Sequence, residues 1–354
     1  MSHSPALRRI SLLQVLGRML LGPTLLCTAA VASAAGPTTQ FVLDGQVRSP
    51  GTYTLADLQA LPATSQTVTF LSGSTPQTRT FVGTSLWGVL SQAGIVTTPG
   101  VKNDQLNRYV LATGSDGYKT VYSLGELDPG FGNVQSLIAY AETSNGVTLP
   151  LTSDGFARTT APLDIKGGRY VSNLAQLTVQ ASASTHTGTG GGISTSFSVT
   201  GDVKQSASFD LAALQALPTV TRTVGADTYT GVSLWSLLTS SFVGLATDPL
   251  VHNDFLGMYV VATGSDGYKA LFSMGELSPD FGNQPDFIAF EQNGSLLTGN
   301  GFARIVAAND TKAGRWVSNL VSLEVYHATA VPEPASMALM VVGLLILAAR
   351  RVRR

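Results

Sequence analysis

Cysteine is almost missing from this chain. Cys27 is the single one in 354 residues, and it lies in a segment read below as a cleaved leader. The mature chain then has no disulfide and no thiolate to bind a metal or attack a substrate. Charge is scarce as well, at 12% of residues, about half the usual level of roughly 25%. Residues 1–34 and 333–354 hold seven Arg and one Glu. Without them, 14 basic and 21 acidic residues remain, a net charge of −7. That balance gives no electrostatic reason to bind nucleic acid. Histidine is sparse: His186, His252 and His327 follow the leader, with no paired metal-ligand spacing. There is no G-x-S-x-G, no His-Cys pair and no P-loop. Hydrophobic residues are nevertheless 44% of the chain, enough to build a core. The length suits about two domains.

Both ends read as targeting segments. Arg8 and Arg9 precede an apolar run broken by Arg18 and closed by Ala32-Ser33-Ala34. This is a signal peptide over 1–34 with cleavage after Ala34. The pair in LRRISLL resembles a twin-arginine signal only in those two residues, so the secretion route stays open. The other end reads VPEPASMALMVVGLLILAARRVRR. Met337 to Ala349 is short for a span of about 20 residues, and Arg350, Arg351, Arg353 and Arg354 would hold it with that end in the cytoplasm. Pro332-Glu333-Pro334, a short apolar helix and an Arg cluster together resemble the PEP-CTERM sorting signal over 331–354. That resemblance implies a Gram-negative envelope, outer-surface or matrix protein. It also implies an exosortase and the secretion machinery as partners, with transient residence in the inner membrane.

What is abundant is repetition. ATGSDGYK occurs at Ala112–Lys119 and again at Ala262–Lys269. Over Ala112–Asn133 and Ala262–Asn283, 16 of 22 positions are identical. TLADLQALP matches DLAALQALP, GTSLWGVL matches GVSLWSLL, GFAR recurs, and GGRYVSNL matches AGRWVSNL. The chain is a duplication of a domain-sized unit. Copy one is placed at 35–180 and copy two at 197–328. Between them ASASTHTGTGGGISTS (181–196) reads as a flexible Gly/Ser/Thr linker.

The coarse pattern is the same in each copy. Thr54 with Asp57 forms a weak capping box ahead of Leu55, Leu58 and Leu61. Asp210 caps the counterpart. Leu86, Val89, Leu90 and Ala93 share a second helix stopped by Gly94. Tyr109–Thr113 and Tyr118–Tyr122 predict strands joined by a tight turn at Ser115-Asp116-Gly117. Ser123-x-x-Glu126 and Ser273-x-x-Glu276 fit capping boxes. Tyr170-Val171 and Leu177–Val179 predict closing strands. Short helices mixed with hairpins make an α+β domain.

The order of these blocks resembles the oxidoreductase molybdopterin-binding domain of the sulfite-oxidase type, over about 41–179 and 197–325. That resemblance implies molybdopterin as cofactor and a cysteine ligand in the loop after the first helix and strand. Here the loop is Leu71-Ser-Gly-Ser-Thr-Pro-Gln, without cysteine. In copy two eight residues are gone between the points aligned with Leu55 and Leu86. Ser72 is the one substitute ligand to weigh, against an ordinary turn role. The recurring cations Arg158, Lys166, Arg169, Arg304, Lys312 and Arg315 are candidates for holding a cofactor or anion, because guanidinium forks suit phosphate and carboxylate. Structural readings compete. Asp116 and Asp266 are turn residues, Glu126 and Glu276 are caps, and Arg169 and Arg315 pair with Asp164 and Asp310. Trp87 and Trp235 pack in cores. No catalytic residue or metal ligand set stands out. Three functions stay open: a non-redox binding or surface module, for exopolysaccharide, a small anion or a surface protein; a molybdenum oxidoreductase lacking the cysteine; and a structural matrix or adhesion component.

Overall fold

A computed structural model describes residues 37–329. The leader with Ala34, the triplet Pro332-Glu333-Pro334 and the apolar run after it lie outside the described residues. Copy one forms β1 (Gln40–Gly45), β2 (Gly51–Thr54), α1 (Leu55–Gln59), β3 (Ala63–Ser72), β4 (Thr75–Ser85), α2 (Leu86–Ala93), β5 (Arg108–Gly114), β6 (Lys119–Ser123), α3 (Leu124–Leu127), β7 (Leu137–Ser144), β8 (Val147–Pro150), β9 (Arg158–Thr159) and β10 (Leu174–Ala181). Copy two repeats the series as β11 (Ser196–Gly201), β12 (Ala207–Asp210), α4 (Leu211–Gln215), β13 (Val220–Val224), β14 (Asp227–Ser233), α5 (Leu234–Leu238), β15 (Met258–Gly264), β16 (Lys269–Ser273), α6 (Met274–Leu277), β17 (Phe287–Gln292), β18 (Ser295–Leu296), β19 (Arg304–Val306) and β20 (Leu320–His327). The molecule is mostly sheet with short helices, within the α+β class.

Each copy holds two sheets of the same topology. One runs β2-β1-β10-β5-β6, with β1 parallel to β10; its counterpart runs β12-β11-β20-β15-β16. The other runs β3-β4-β7-β8 with β9 on β7, matched by β13-β14-β17-β18 with β19 on β17. The expected caps are present. Thr54 and Asp57 bond reciprocally, as do Ser123 with Glu126 and Ser273 with Glu276. Gly94 ends α2 at φ +75°, a left-handed conformation that glycine adopts without steric cost. Trp87 and Trp235 are partly buried against the two main cores.

Three expectations need correcting. Tyr170-Val171 is not a strand. It follows a 3-10 turn at Gly167–Arg169, and Val171 bonds to Thr159 through Thr159 Oγ1 and the Thr159 amide. The loop expected around Ser72 is a hairpin tip: Ser72 pairs with Thr75 across a two-residue turn, with Gly73 at φ +60°. In copy two that hairpin is shorter by four rungs. Thr64 and Val220 both pair with a glycine (Gly83 and Gly231), and from there pairing runs to Ser72 or only to Val224. Eight rungs against four, on two strands, account for the eight missing residues. Losing an even number per strand keeps every remaining side chain on its own face. The linker is also not loose. Thr189 and Gly191 donate to the Ser265 carbonyl at 2.8 Å, and Lys269 Nζ donates to the Ser184 carbonyl at 2.8 Å. Glycine composition suggested freedom, but Gly188 is there for close approach: a Cβ would sit 2.4 Å from Gly267 N.

The copies pack as one compact unit. β5 is buried on both faces, which explains its unbroken apolar run Tyr-Val-Leu-Ala. Val110 and Ala112 face the core of copy one. Tyr109 and Leu111 instead join Val121, Tyr259, Val261 and Leu271 in a shared core between the copies. The Tyr109 and Tyr259 rings lie 4.8 Å apart. Contacts are exchanged reciprocally. A Cβ on Gly125 would strike Arg315, and one on Gly275 would strike Arg169; Gly168 packs on Phe281 and Gly314 on Phe131. This is the isologous pattern of a two-fold dimer, made within one chain.

Candidate functional site

Two clusters bring together Ser72, Arg158, Lys166, Arg169 and Arg315 among the sequence-predicted residues. The first is a buried ion network between the copies. Arg169 binds Asp164 at 2.6 and 2.9 Å and Glu126 at 2.9 and 3.1 Å, with 1% of its side chain exposed. Arg315 binds Asp310 and Glu276 in the same way. Every nitrogen of both guanidiniums bonds an acid and both side chains are enclosed, so they are held in structural ion pairs. Neither Arg169 nor Arg315 lines the cleft described below. Acids outnumber the two cations here. Burial pushes the Glu126 carboxyl up to about 8 against the pull of Arg169, with Glu276 adding to the rise. Burial pushes Asp286 up to about 7, opposed by Arg315.

The second is an open cleft of about 740 Å³ where the tip of the long β3–β4 hairpin meets the Gly167–Arg169 turn and copy two. Leu71 N donates to the Ile165 carbonyl at 2.8 Å, which closes the hairpin tip onto that turn. The Tyr118 hydroxyl donates to the Gly168 carbonyl at 2.8 Å and fixes the turn from below. His252, Asn253 and Phe281 complete the wall from copy two. Arg158, Lys166 and Ser72 are on the lining. Arg158 is buried, bonded to Asp154 at 2.5 Å and to the Tyr170 carbonyl at 3.1 Å, and its guanidinium lies over the Phe81 ring. Burial lowers its pKa, opposed by Asp154. Lys166 stands at the rim, 2.9 Å from Asp280 of copy two. Arg304 is half-buried against Trp316, and Lys312 is exposed; neither lines the cleft. Asp154 has no acidic counterpart in copy two, where Asn300 takes its place before the repeated GFAR.

Arg79 was missed. It lines the cleft and binds Glu142 and Asp154. It lies on the part of the hairpin at which copy two stops, so comparing the repeats could not reveal it. Asn253 was legible in principle: Val-Lys-Asn-Asp and Val-His-Asn-Asp recur at 101–104 and 251–254, and both Asn sit at φ near +50°.

The resemblance implies a cysteine thiolate on molybdenum, and the phosphate of a pterin cofactor calls for spare cations. Ser72 offers an exposed hydroxyl on a regular hairpin rung. Arg79, Arg158 and Lys166 are already matched by Glu142, Asp154 and Asp280. Among the described residues no group of His, Cys, Asp and Glu could hold a metal ion. The residues present do not fit that group.

Residues 330–354 match the PEP-CTERM protein-sorting motif. No curated protein matches the chain. Among solved structures, the sulfane dehydrogenase SoxCD from Paracoccus pantotrophus is similar at 13% identity and a TM-score of 0.32, over 82% of this chain and 78% of that one. The motif marks an exported protein that exosortase processes, in the envelope or outside the cell. Among the described residues no helix is long and apolar enough to cross a membrane.

Proposed function

We propose that the mature protein is a non-redox binding module of the cell envelope or extracellular matrix, built on two degenerate molybdopterin-domain scaffolds. Its ligand is a small hydroxylated molecule, a sugar, taken into the cleft of copy one. One observation carries this reading: the cleft is assembled from both copies, with the hairpin tip and Arg79 on one side and His252, Asn253 and Phe281 on the other. Its volume falls in the range of small-molecule sites, roughly 300–1,000 Å³. Mixed donors and acceptors line it, which suits a hydroxylated ligand better than an apolar one.

Two measurements test the reading. Molybdenum and pterin are assayed on mature protein from a molybdenum-replete host; stoichiometric metal would overturn the non-redox reading. Calorimetric titration with a panel of neutral sugars, uronates and small carboxylates then finds the ligand class. Binding should fall at least tenfold in Asn253→Ala. Binding that is indifferent to Asn253 and Arg79 would place the site elsewhere.

A further inference from the structure

At one rung of the closing strands the two copies set different cations against the same acid. Arg108 faces Ala181 across β5 and β10, and Met258 faces His327 across β15 and β20. In copy one the Arg108 guanidinium binds Asp104 through two of its nitrogens. In copy two Met258 carries no charge, and the cation comes from the opposite strand. His327 Nε2 lies 2.9 Å from Asp254 Oδ2, and its Nδ1 lies 2.8 Å from Asp202 Oδ2. The acid has a second duty in both copies. Asp104 Oδ2 accepts the Thr98 amide at 2.8 Å, and Asp254 Oδ2 accepts the Asp248 amide at 2.8 Å. Each acid thus ties down the loop that runs into it. The loop of copy two ends in His252 and Asn253, which line the cleft. A neutral imidazole has one N–H, and here both ring nitrogens meet carboxylates, so the ring carries both protons. Arginine keeps its charge at any working pH, but histidine does not.

We propose that His327 is a pH-operated positioning residue: as the imidazolium it fixes Asp254 and, through it, the cleft wall at 248–253, and as the neutral ring it releases that wall. The use of this latch in ligand binding rests on the reading of the cleft given above; the latch itself does not. On losing a proton the ring keeps one N–H. Asp202 also accepts the His327 amide at 2.8 Å, which keeps Nδ1 beside it, so Asp254 is the acid that is released. Burial pulls the His327 pKa down, but the bonds to Asp254 and Asp202 outweigh it and hold the pKa above its ordinary 6.5. The contribution of the imidazolium is therefore complete below pH 6.5 and is lost as pH rises through the folded value. The other charged or titratable groups facing the ring and its two acids are Asp248, the Tyr259 and Tyr326 hydroxyls, and Glu324, which accepts from Tyr326 at 2.9 Å. None of these supplies a cation in place of His327.

The test is amide exchange in the full chain, normalised to the free-peptide rate at each pH. From pH 5.5 to pH 9 the Asp248 amide should lose protection roughly tenfold, the effect of one charge-assisted hydrogen bond. The Thr98 amide, held by Asp104 and Arg108 in the same molecule, should keep its protection. Met258→Arg with His327→Ala rebuilds the Arg108–Ala181 rung in copy two and should keep Asp248 protected at both pH values. His327→Ala alone should show at pH 5.5 the exchange that the parent shows at pH 9, and it carries the test if the double variant does not fold. His252 titrates on the same loop, and His252→Gln should leave the pH response of Asp248 in place. Equal protection of Asp248 at both pH values in the parent would overturn the proposal. So would a parallel loss at Thr98, which would trace the response to the buried acids Glu126 and Asp286, or its disappearance in His252→Gln. A sugar panel without a binder would sink the reading of the cleft and leave these exchange results standing.

Discussion

Asp286 and Ser136 occupy one place in the two copies: the carbonyl of each accepts the first amide of a helix, Leu234 N of α5 at 3.1 Å and Leu86 N of α2 at 2.9 Å. Each leaves a buried side-chain oxygen without a partner, but only Asp286 carries a proton whose loss is costly. Its pKa rises on folding from 3.8 to about 7 because burial disfavours the charge. The folded state thus binds the proton more tightly. Asp286 contributes most below pH 3.8, and that contribution is lost as pH rises through about 7, by up to about 1.4 kcal/mol per pH unit. Asp286→Ser should therefore leave stability nearly unchanged at pH 4 and raise it at pH 8.5. Urea unfolding at the two pH values checks this; an equal effect at both would refute it. Arg169→Met tests the neighbouring network. It leaves Glu126 and Asp164 buried without their cation, and a loss of about 3–5 kcal/mol is expected, measured by the same unfolding. At this scale the sequence was half legible. The i,i+5 pairing of Asp164 with Arg169 and the capping role of Glu126 could both be read. That the second oxygen of Glu126 binds Arg169 could not, because that contact depends on how distant strands are placed.

Among the elements, the β3–β4 hairpin separates two costs that sequence alone confuses. A Cβ at Gly73 or at Gly51 would meet nothing within 4 Å, but only Gly73 has positive φ, +60°. Gly73→Ala should then lose about 1–2 kcal/mol from backbone conformation alone, while Gly51→Ala should be neutral. Thermal melts of the two variants make the comparison. The linker gives the opposite case, where space decides together with φ. Gly188→Val would drive a side chain into the Ser265–Gly267 backbone, so residues 183–193 should lift off and become sensitive to protease while the two copies stay folded. Resistance equal to the parent chain would mean that the linker is held by other contacts. Caps, turns and helix stops were legible here because each depends on neighbours within about four residues. The linker was misread because glycine serves both a free chain and a close contact, and only the partner surface tells them apart.

For the whole molecule, the question is whether the duplication makes two domains or one. The repeat boundaries suggest two independent units joined by a tether. The shared core and the exchanged contacts argue otherwise. Tyr109, Leu111 and Val121 are buried in one cluster with Tyr259, Val261 and Leu271, and each arginine packs on the opposite copy's glycine while binding acids of its own. Separating the copies would expose an apolar face of six large side chains and hydrate two buried ion clusters, which disfavours a half-folded state. Calorimetry should accordingly show one transition, with the calorimetric and van't Hoff enthalpies equal. The sharper test is directional. Tyr259→Ala removes a ring whose main-chain strand lies in copy two, yet the melting of copy one should fall with it. Amide exchange in β5 and β15 would report both halves at once. If β15 alone loosened, the copies would be separate domains that touch, and the cleft built from both would have no fixed geometry to offer a ligand.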